Sequence, residues 1–268
     1  MCDWSIDTRG FHLKLPESYD DSKAAVDAMK NIEISYGTHS NSHFLINYGF
    51  SILDDAHQLL EERVNLPMNP CLVGSDTTKS EKDILNLWQA DDLNNDDIRN
   101  VGISIGDPHP MESVLSLCRV ASSQGNELTQ MKELFIQKAE TISQNEDELM
   151  PQLGATLCRK PFSFANEIRA MEMLREQTTK SLAQYDTTFD EDDELLFDGG
   201  SSILLNNNNK CNALILRRGE KCLLQHFYNL AFICLTFIEV HQQQDTATTM
   251  ELYRDLLDEL LNDQNTIL

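Results

Sequence analysis

Most of the residues that could carry chemistry in this chain lack the spacing that a site requires. The run at residues 190–194 is wholly acidic, which is the composition of a calcium-binding loop. An EF-hand loop beginning at Asp190 would need glycine at its sixth position, where Leu195 stands. Thr188 and Glu191 have the spacing of a helix capping box instead. The run therefore predicts the start of a helix, and we expect its acidic side chains to face water.

Histidines and cysteines give no metal signature either, and we predict no metal site. His226 and His241 are fifteen positions apart, which is not the i, i+4 spacing of a zinc pair on a helix, so we expect them to be hydrogen-bonded polar residues. The seven cysteines form no CxxC pair. Free, mostly buried thiols in a reducing compartment are the simplest interpretation. Catalysis by a cysteine–histidine pair stays open, although no local signature supports it.

The densest group of useful residues lies at residues 34–50, which read ISYGTHSNSHFLINYGF. Residues 32–36 alternate apolar and polar side chains, the period of a half-buried strand. Tyr36 and Tyr48 each precede a glycine, and Phe50 follows the second one. Both tyrosines could be ordinary strand aromatics, but their regular spacing with the glycines and with Phe50 disfavours that interpretation.

This stretch resembles the C-terminal end of a SET methyltransferase domain. Its pattern, Ile-x-Tyr-Gly-x-x-Ser-Asn followed by Tyr-Gly-Phe, is similar to the Rubisco large-subunit methyltransferase branch, which includes the actin-histidine methyltransferases. Weaker motifs downstream look like the helical substrate-binding domain that follows SET in this branch. They are Pro161-Phe-Ser-Phe-x-x-Glu167, then Leu182-x-x-Tyr185-x-Thr187-Thr188-x-x-x-Asp192, then Arg218-Gly-Glu-Lys221-x-Leu-Leu224.

The resemblance implies transfer of a methyl group from S-adenosylmethionine to a nitrogen of a protein side chain. A lysine amine, with an ordinary pKa of about 10.4, must arrive uncharged, so the site must position it in a narrow, partly dry channel. By resemblance, Tyr36 is the catalytic tyrosine, Tyr48 and Phe50 line the cofactor pocket, and Tyr48 and Asn41 line the substrate channel. Ser40 and Asn41 would hold the turn. Tyr48 favours lysine over histidine as acceptor.

Only thirty-three residues precede this motif, whereas the family has a glycine-rich cofactor-binding segment and an Asn-His pair before it. Here the glycine-rich segment is absent, and Asp3-Trp4 stands where the pair would fall. We therefore expect an N-terminally truncated fragment of a longer enzyme or a degenerate member that kept the binding half. Binding of S-adenosylmethionine should then be weak or absent. The alternatives are a non-catalytic protein-binding module and, if the motif match is chance, an unrelated helical scaffold.

The remaining pattern predicts an α+β protein. Short apolar runs predict strands within residues 1–50, and helical periodicity takes over from about residue 53. We expect the C-terminal part of a SET domain at residues 1–52 and a mostly helical substrate-binding domain at residues 53–268. Its clearest helix, residues 164–185, should bury one stripe and expose Glu167. The stripe consists of Ile168, Met171, Leu174, Thr178, Leu182 and Tyr185.

The end of the chain is expected to be helical as well. We predict a helix at residues 204–216, a break or tight turn at Gly219, a long buried helix at 220–244 and an amphipathic one at 249–261. Residues 222–240 are apolar over a length that could span a membrane. They also carry polar and charged side chains that are costly in lipid, namely Gln225, His226, Asn229 and Glu239, so we predict a core helix.

Charge and the first residues limit partners and location. Lys and Arg number 21 against 44 Asp and Glu, a formal net charge of -23. This acidity opposes binding to nucleic acid and to anionic membranes and favours a basic protein substrate. The plain alternative is that the charge only maintains solubility. The first residues lack the apolar segment of a secretory signal, so we expect an intracellular protein, cytoplasmic or nuclear, with the plastid left open.

Overall fold

The protein is described by a computed structural model in which two compact units are distinguished. They comprise Met1–His39 and Ser40–Leu268. The structure describes residues 3–7, 10–14, 36–37, 39–53, 62–67, 100–105, 108–124, 126–127, 129–131, 133–134, 137, 161–198, 208–241 and 246–262. The boundary between the two compact units lies between residues 39 and 40. The boundary that we expect between residues 52 and 53 concerns the family's domains, and it stays a prediction.

The first unit contains an antiparallel hairpin. Strand β1, Asp3–Asp7, pairs with strand β2, Gly10–Lys14, in a register that places Trp4 opposite Leu13. The expectation of strands near the N-terminus is therefore confirmed for this hairpin. The predicted strand at residues 32–36 lies outside the described residues except for Tyr36, whose backbone is irregular.

The second unit is mainly helical, which confirms the α+β class. Strand β3, Val64–Pro67, pairs antiparallel with strand β4, Asn100–Ile103. The helices are α1 (Asn41–Tyr48), α2 (Pro108–Ala121), α3 (Phe164–Leu182), α4 (Phe189–Asp193), α5 (Asn208–His241) and α6 (Thr246–Asn262). A π-helical turn, Glu194–Asp198, continues α4. The predicted capping box at the start of α4 is present.

Helix α1 occupies a segment for which we had expected strands, and its caps explain the difference. The Ser40 side chain accepts a hydrogen bond from the backbone N–H of His43, as an N-cap residue does. Gly49 ends the helix in the left-handed conformation, with φ of 79°, which glycine adopts without steric cost. Short apolar runs do not distinguish strand from helix by periodicity, so the caps were the better signal.

The core of the second unit is built where α3, α5, α2 and α6 pack together. Met171, Leu174 and Thr178 of the predicted stripe are buried, and the other three members are partly buried against the same cluster. The stripe prediction is therefore confirmed. Since Leu174 is fully buried, truncating it to alanine should cost about 2–5 kcal/mol.

Helix α5 is continuous, so the expected break at Gly219 is wrong. The absent side chain of Gly219 instead makes room for a neighbour, because a Cβ there would lie 3.2 Å from Cγ of Glu62. Glu62 is buried, and its carboxylate accepts a hydrogen bond from the backbone N–H of Asn41. The glycine thus permits a close approach between α5 and Glu62, which in turn binds the start of α1.

By length and composition α5 could also cross a membrane. Within the protein, however, Phe227, Leu230 and Cys234 of this helix are buried in the core cluster that it shares with α3 and α6. This packing agrees with the core helix that the sequence predicts.

Candidate functional site

An aromatic cluster stands at the end of α1, where the sequence motif predicts substrate and cofactor contacts. The rings of Phe44 and Phe50 stack with centroids 5.3 Å apart, and those of Tyr48 and Phe50 lie 6.2 Å apart. Phe44 is buried, whereas Tyr48 is 48% exposed. The buried ring therefore anchors a group of aromatic side chains whose outer member, Tyr48, is half-exposed.

Asn41 fixes the chain that follows this cluster. Its amide nitrogen donates to the carbonyl of Ile52 at 3.1 Å, and its amide oxygen accepts from the N–H of Ile52 at 2.7 Å. The residue is only 2% exposed. Together with the Ser40 cap, this agrees with the expected role of these two residues in holding the turn. A further role of Asn41 in a substrate channel stays a prediction.

Asn212, which we did not predict, ties the same segment to the helical domain. From α5 its amide nitrogen donates to the carbonyl of Gly49 at 3.0 Å, and its oxygen accepts from the N–H of Ser51 at 3.1 Å. Asn212 lies near the start of the helix, shortly after the polar run at residues 206–209, and is nearly buried. The sequence feature that could have indicated this role is a polar asparagine on the buried face of a helix, where its amide must find a hydrogen-bond partner.

Tyr36 belongs to the first unit, unlike the residues above. Its side chain is 49% exposed and its backbone is irregular. Tyr48, Phe50 and Asn41 all belong to the second unit, where α1 and the following turn bring them together. The catalytic role of Tyr36 therefore stays a prediction.

Several residues of the downstream motifs form a buried polar network around Asp192, although we had expected this residue to face water. Asp192 is fully buried. Its carboxylate accepts hydrogen bonds from Lys221 at 2.7 Å, from Thr187 at 2.8 Å and from Arg217. Burial by itself raises the pKa of Asp192. The hydrogen bonds from Arg217, Lys221 and Thr187 outweigh this effect, so the pKa of Asp192 lies below its ordinary value. The motif marks a structural network that connects α4 to α5.

Glu167 is likewise buried, which corrects its expected position on the outer face of α3. Arg119 binds its two carboxylate oxygens with two hydrogen bonds, at 2.7 and 2.8 Å, and Tyr253 donates a third at 2.7 Å. Burial raises the pKa of the Tyr253 hydroxyl, and the Glu167 charge raises it further. This network joins α2, α3 and α6, so the glutamate of the Pro-Phe-Ser-Phe motif holds the helical domain together.

His226 lies on the buried face of α5, and the hydrogen-bonding role that we expected for it is wrong within the described part of the chain. Neither ring nitrogen has a hydrogen-bond partner among those residues, and the side chain is 1% exposed. Burial lowers the pKa of the imidazole to about 4, because the charged form would be desolvated. His226 is therefore neutral at pH 7 and acts as a packing residue.

Sites for a metal or for S-adenosylmethionine would need convergent polar ligands. Among the described residues, no group of three or more histidine, cysteine, aspartate or glutamate side chains could hold a metal ion. Tyr48 and Phe50 offer an aromatic surface on which a base could stack. The nearby amides of Asn41 and Asn212 already bind the backbone. The described residues therefore do not by themselves fit the several polar groups of this cofactor.

Comparisons with known proteins find similarity to a protein family and to solved structures. A family model described as Rubisco LSMT substrate-binding matches residues 78–224. Among solved structures, one titled "Crystal structure of the SET domain of LSMT bound to MeLysine and AdoHcy" has a TM-score of 0.52 and 18% sequence identity. The match covers 85% of this chain and 47% of that chain, so this chain spans about half the length of the matched protein. No curated protein sequence matches the chain.

Proposed function

Because the chain belongs to the Rubisco LSMT substrate-binding family, we propose that it binds a segment of a protein substrate for N-methylation by a SET-type methyltransferase. The observation that carries this proposal is the family match over residues 78–224, which includes more than half of the 268 residues. The fold likeness to a SET-domain structure and the Tyr-Gly-Phe segment at the end of α1 support it.

The acceptor that we propose is a lysine, and the methyl donor of the complete enzyme is S-adenosylmethionine. A lysine amine reacts only when it is uncharged, so the protein must orient it and exclude water from it. In this proposal the half-exposed ring of Tyr48 lines the path of the lysine side chain. Phe50 stacks against that ring. The catalytic role of Tyr36 is proposed from the sequence motif.

The proposed substrate is a basic protein segment. A chain with a net charge of -23 attracts cationic partners over a distance of about one Debye length and repels nucleic acid. We also propose an intracellular location. Two described cysteines, Cys211 and Cys234, are free thiols, which fits a reducing compartment.

A second candidate is a protein-binding module without catalytic activity of its own. The observation that favours it is that the side-chain amides of Asn41 and Asn212 are already hydrogen-bonded to the backbone of residues 49–52. These amides stabilise the turn and leave few polar groups for a cofactor among the described residues near the aromatic cluster. On this view the second unit retains recognition of the protein partner alone.

The two candidates are distinguished by titrating the full chain with S-adenosylmethionine in a calorimeter and then adding a lysine-rich peptide and radiolabelled cofactor. We expect weak or no cofactor binding, no transfer of label, and binding of the peptide. Micromolar or tighter cofactor binding with transfer of label would show that this chain is catalytic by itself. Failure of the peptide to bind would contradict both candidates.

A further inference from the structure

An open groove runs between α3 and α5 on the second unit. Its volume is about 630 Å³. Its charged and aromatic lining residues are Glu172, Arg175, Glu176 and Lys180 of α3, with Tyr228 and Phe232 of α5. None of them belongs to the aromatic cluster of α1 or to the buried networks, so the groove is separate from the sites described above.

Two aromatic rings form one wall of the groove. Tyr228 and Phe232 are one helical turn apart, and their rings are nearly parallel, with an interplanar angle of 9° and centroids 6.4 Å apart. Phe232 is 50% exposed. The face of an exposed aromatic ring attracts a guanidinium or ammonium group, and this attraction increases when the contact is shielded from water.

The opposite wall is charged, and its charged side chains differ in whether they already form an ion pair. Lys180 binds Glu176 at 2.6 Å, so each of these exposed side chains has a partner. The carboxylate of Glu172 has no ion-pair partner among the residues that the structure describes. A cation that stacks on Phe232 can therefore pair with Glu172, while Arg175 repels a cation and limits where it can bind.

We propose that this groove docks a basic segment of the partner protein, with one arginine or lysine side chain stacked on Phe232 and paired with Glu172. The inference rests on the proposed binding of a protein substrate and identifies a place where that substrate is held outside the region of methyl transfer. The net charge of -23 increases the rate at which such a segment meets the surface.

The first test compares two substitutions on the exposed surface of α5. A fluorescein-labelled peptide of repeated Arg-Gly-Ser units is titrated with the full chain, and its anisotropy is measured. Phe232→Ser should weaken binding about twofold to fivefold, as expected for loss of a cation–π contact at an exposed ring. Val240→Ser, on the same helix and 69% exposed, should bind like the wild type. Circular dichroism verifies that both variants fold.

The second test uses the sign of charge. Glu172→Lys should weaken binding of the arginine peptide, and Arg175→Glu should strengthen it, because the two substitutions change the electrostatic field of the groove in opposite directions. Glu251→Lys on the exposed face of α6 changes the net charge by the same amount as Glu172→Lys and is the matched control. It should have the smaller effect.

The outcomes separate this inference from the function on which it rests. If the wild type binds the peptide but Phe232→Ser behaves like Val240→Ser and Glu172→Lys behaves like Glu251→Lys, the groove is not the docking site, and the proposed function stands. If the wild type does not bind the peptide at all, both fall. A concentration-dependent dimer that Phe232→Ser abolishes in sedimentation would show that a second copy covers the groove, which would also overturn the inference.

Discussion

Asp192 is a charged residue whose removal should be costly. It is fully buried, and Lys221, itself 2% exposed, depends on it for a counter-charge. Breaking a buried ion pair by removing one partner typically costs about 3–5 kcal/mol. We expect Asp192→Ala to lower the free energy of unfolding by about this amount, measured by chemical denaturation of the full chain.

Asp190 provides the matched control for this prediction. It lies in the same first turn of α4 but is exposed. Asp190→Ala should therefore cost at most about 1 kcal/mol through lost attraction to the helix terminus. If both variants unfold at the same denaturant concentration, the buried network around Asp192 does not stabilise the domain.

His226 should make the protein sensitive to mild acid. Its pKa is lowered to about 4 in the folded protein, whereas an unfolded chain protonates near its ordinary value of 6.5. The unfolded state therefore binds more protons below that value, and the free energy of unfolding should fall as the pH falls from about 6.5 to about 4. The full contribution is on the order of 3 kcal/mol.

A variant without this imidazole tests the assignment. His226→Leu should remove most of the loss between these two pH values, measured by denaturant unfolding at a series of pH values. Loss that remains at lower pH is expected from Asp192, because its lowered pKa adds stability that disappears when its carboxylate is protonated. Parallel curves for the variant and the wild type would show that His226 is not the responsible group.

At the residue scale, the sequence predicted burial well for apolar side chains and poorly for charged ones. The stripe containing Leu174 was predictable because its spacing matches the helical period. Glu167 was not, because its partner Arg119 is 48 positions away in the sequence and periodicity places a lone charge in water. The acceptor for each buried cation becomes visible only when the helices are packed.

At the scale of elements, α1 depends on a few hydrogen bonds to other segments. Asn212 alone supplies two of them to the turn at residues 49–51. Asn212→Ala should leave the N–H of Ser51 and the carbonyl of Gly49 without these partners. We expect a loss of about 1–3 kcal/mol and faster hydrogen exchange at the amide of Ser51, measured by mass spectrometry.

Asn229→Ala is the control, since Asn229 lies on the same helix and bonds only the exposed side chain of Gln225 among the described residues. Its effect on exchange at residues 49–53 should be negligible. Equal exchange in the two variants would mean that Asn212 does not hold the turn against α5.

Caps mark the helix boundaries, but only the capping box of α4 was predicted, whereas the caps of α1 were missed. Ser40 and Gly49 mark both ends of α1, and the capping box at Thr188 marks the start of α4. The packing role of Gly219 within the continuous helix α5 was not predictable, because its neighbour Glu62 lies far away in the sequence. A glycine in a helix is consistent with a break or with a close approach, and only the packed neighbour distinguishes them.

At the scale of the whole molecule, short sequence motifs were enough to recognise the family. The stretch from Ile34 to Phe50 resembles the end of a SET domain, and the motifs between residues 161 and 224 lie within the family match at residues 78–224. The arrangement of the candidate site was less predictable. Asn212 had no motif, and the exposed groove of α3 and α5 depends on how two helices pack.

Recognition of a basic protein segment is the central claim about this chain, and the most direct test is the salt dependence of that binding. The dissociation constant of the full chain for a labelled lysine-rich peptide is measured by anisotropy at increasing ionic strength, with a glutamate-rich peptide of equal length as the control. We predict that the lysine-rich peptide binds, that its binding weakens steadily with salt as the field of the acidic surface is screened, and that the glutamate-rich peptide does not bind. Absence of binding, or equal and salt-independent binding of both peptides, would contradict the claim.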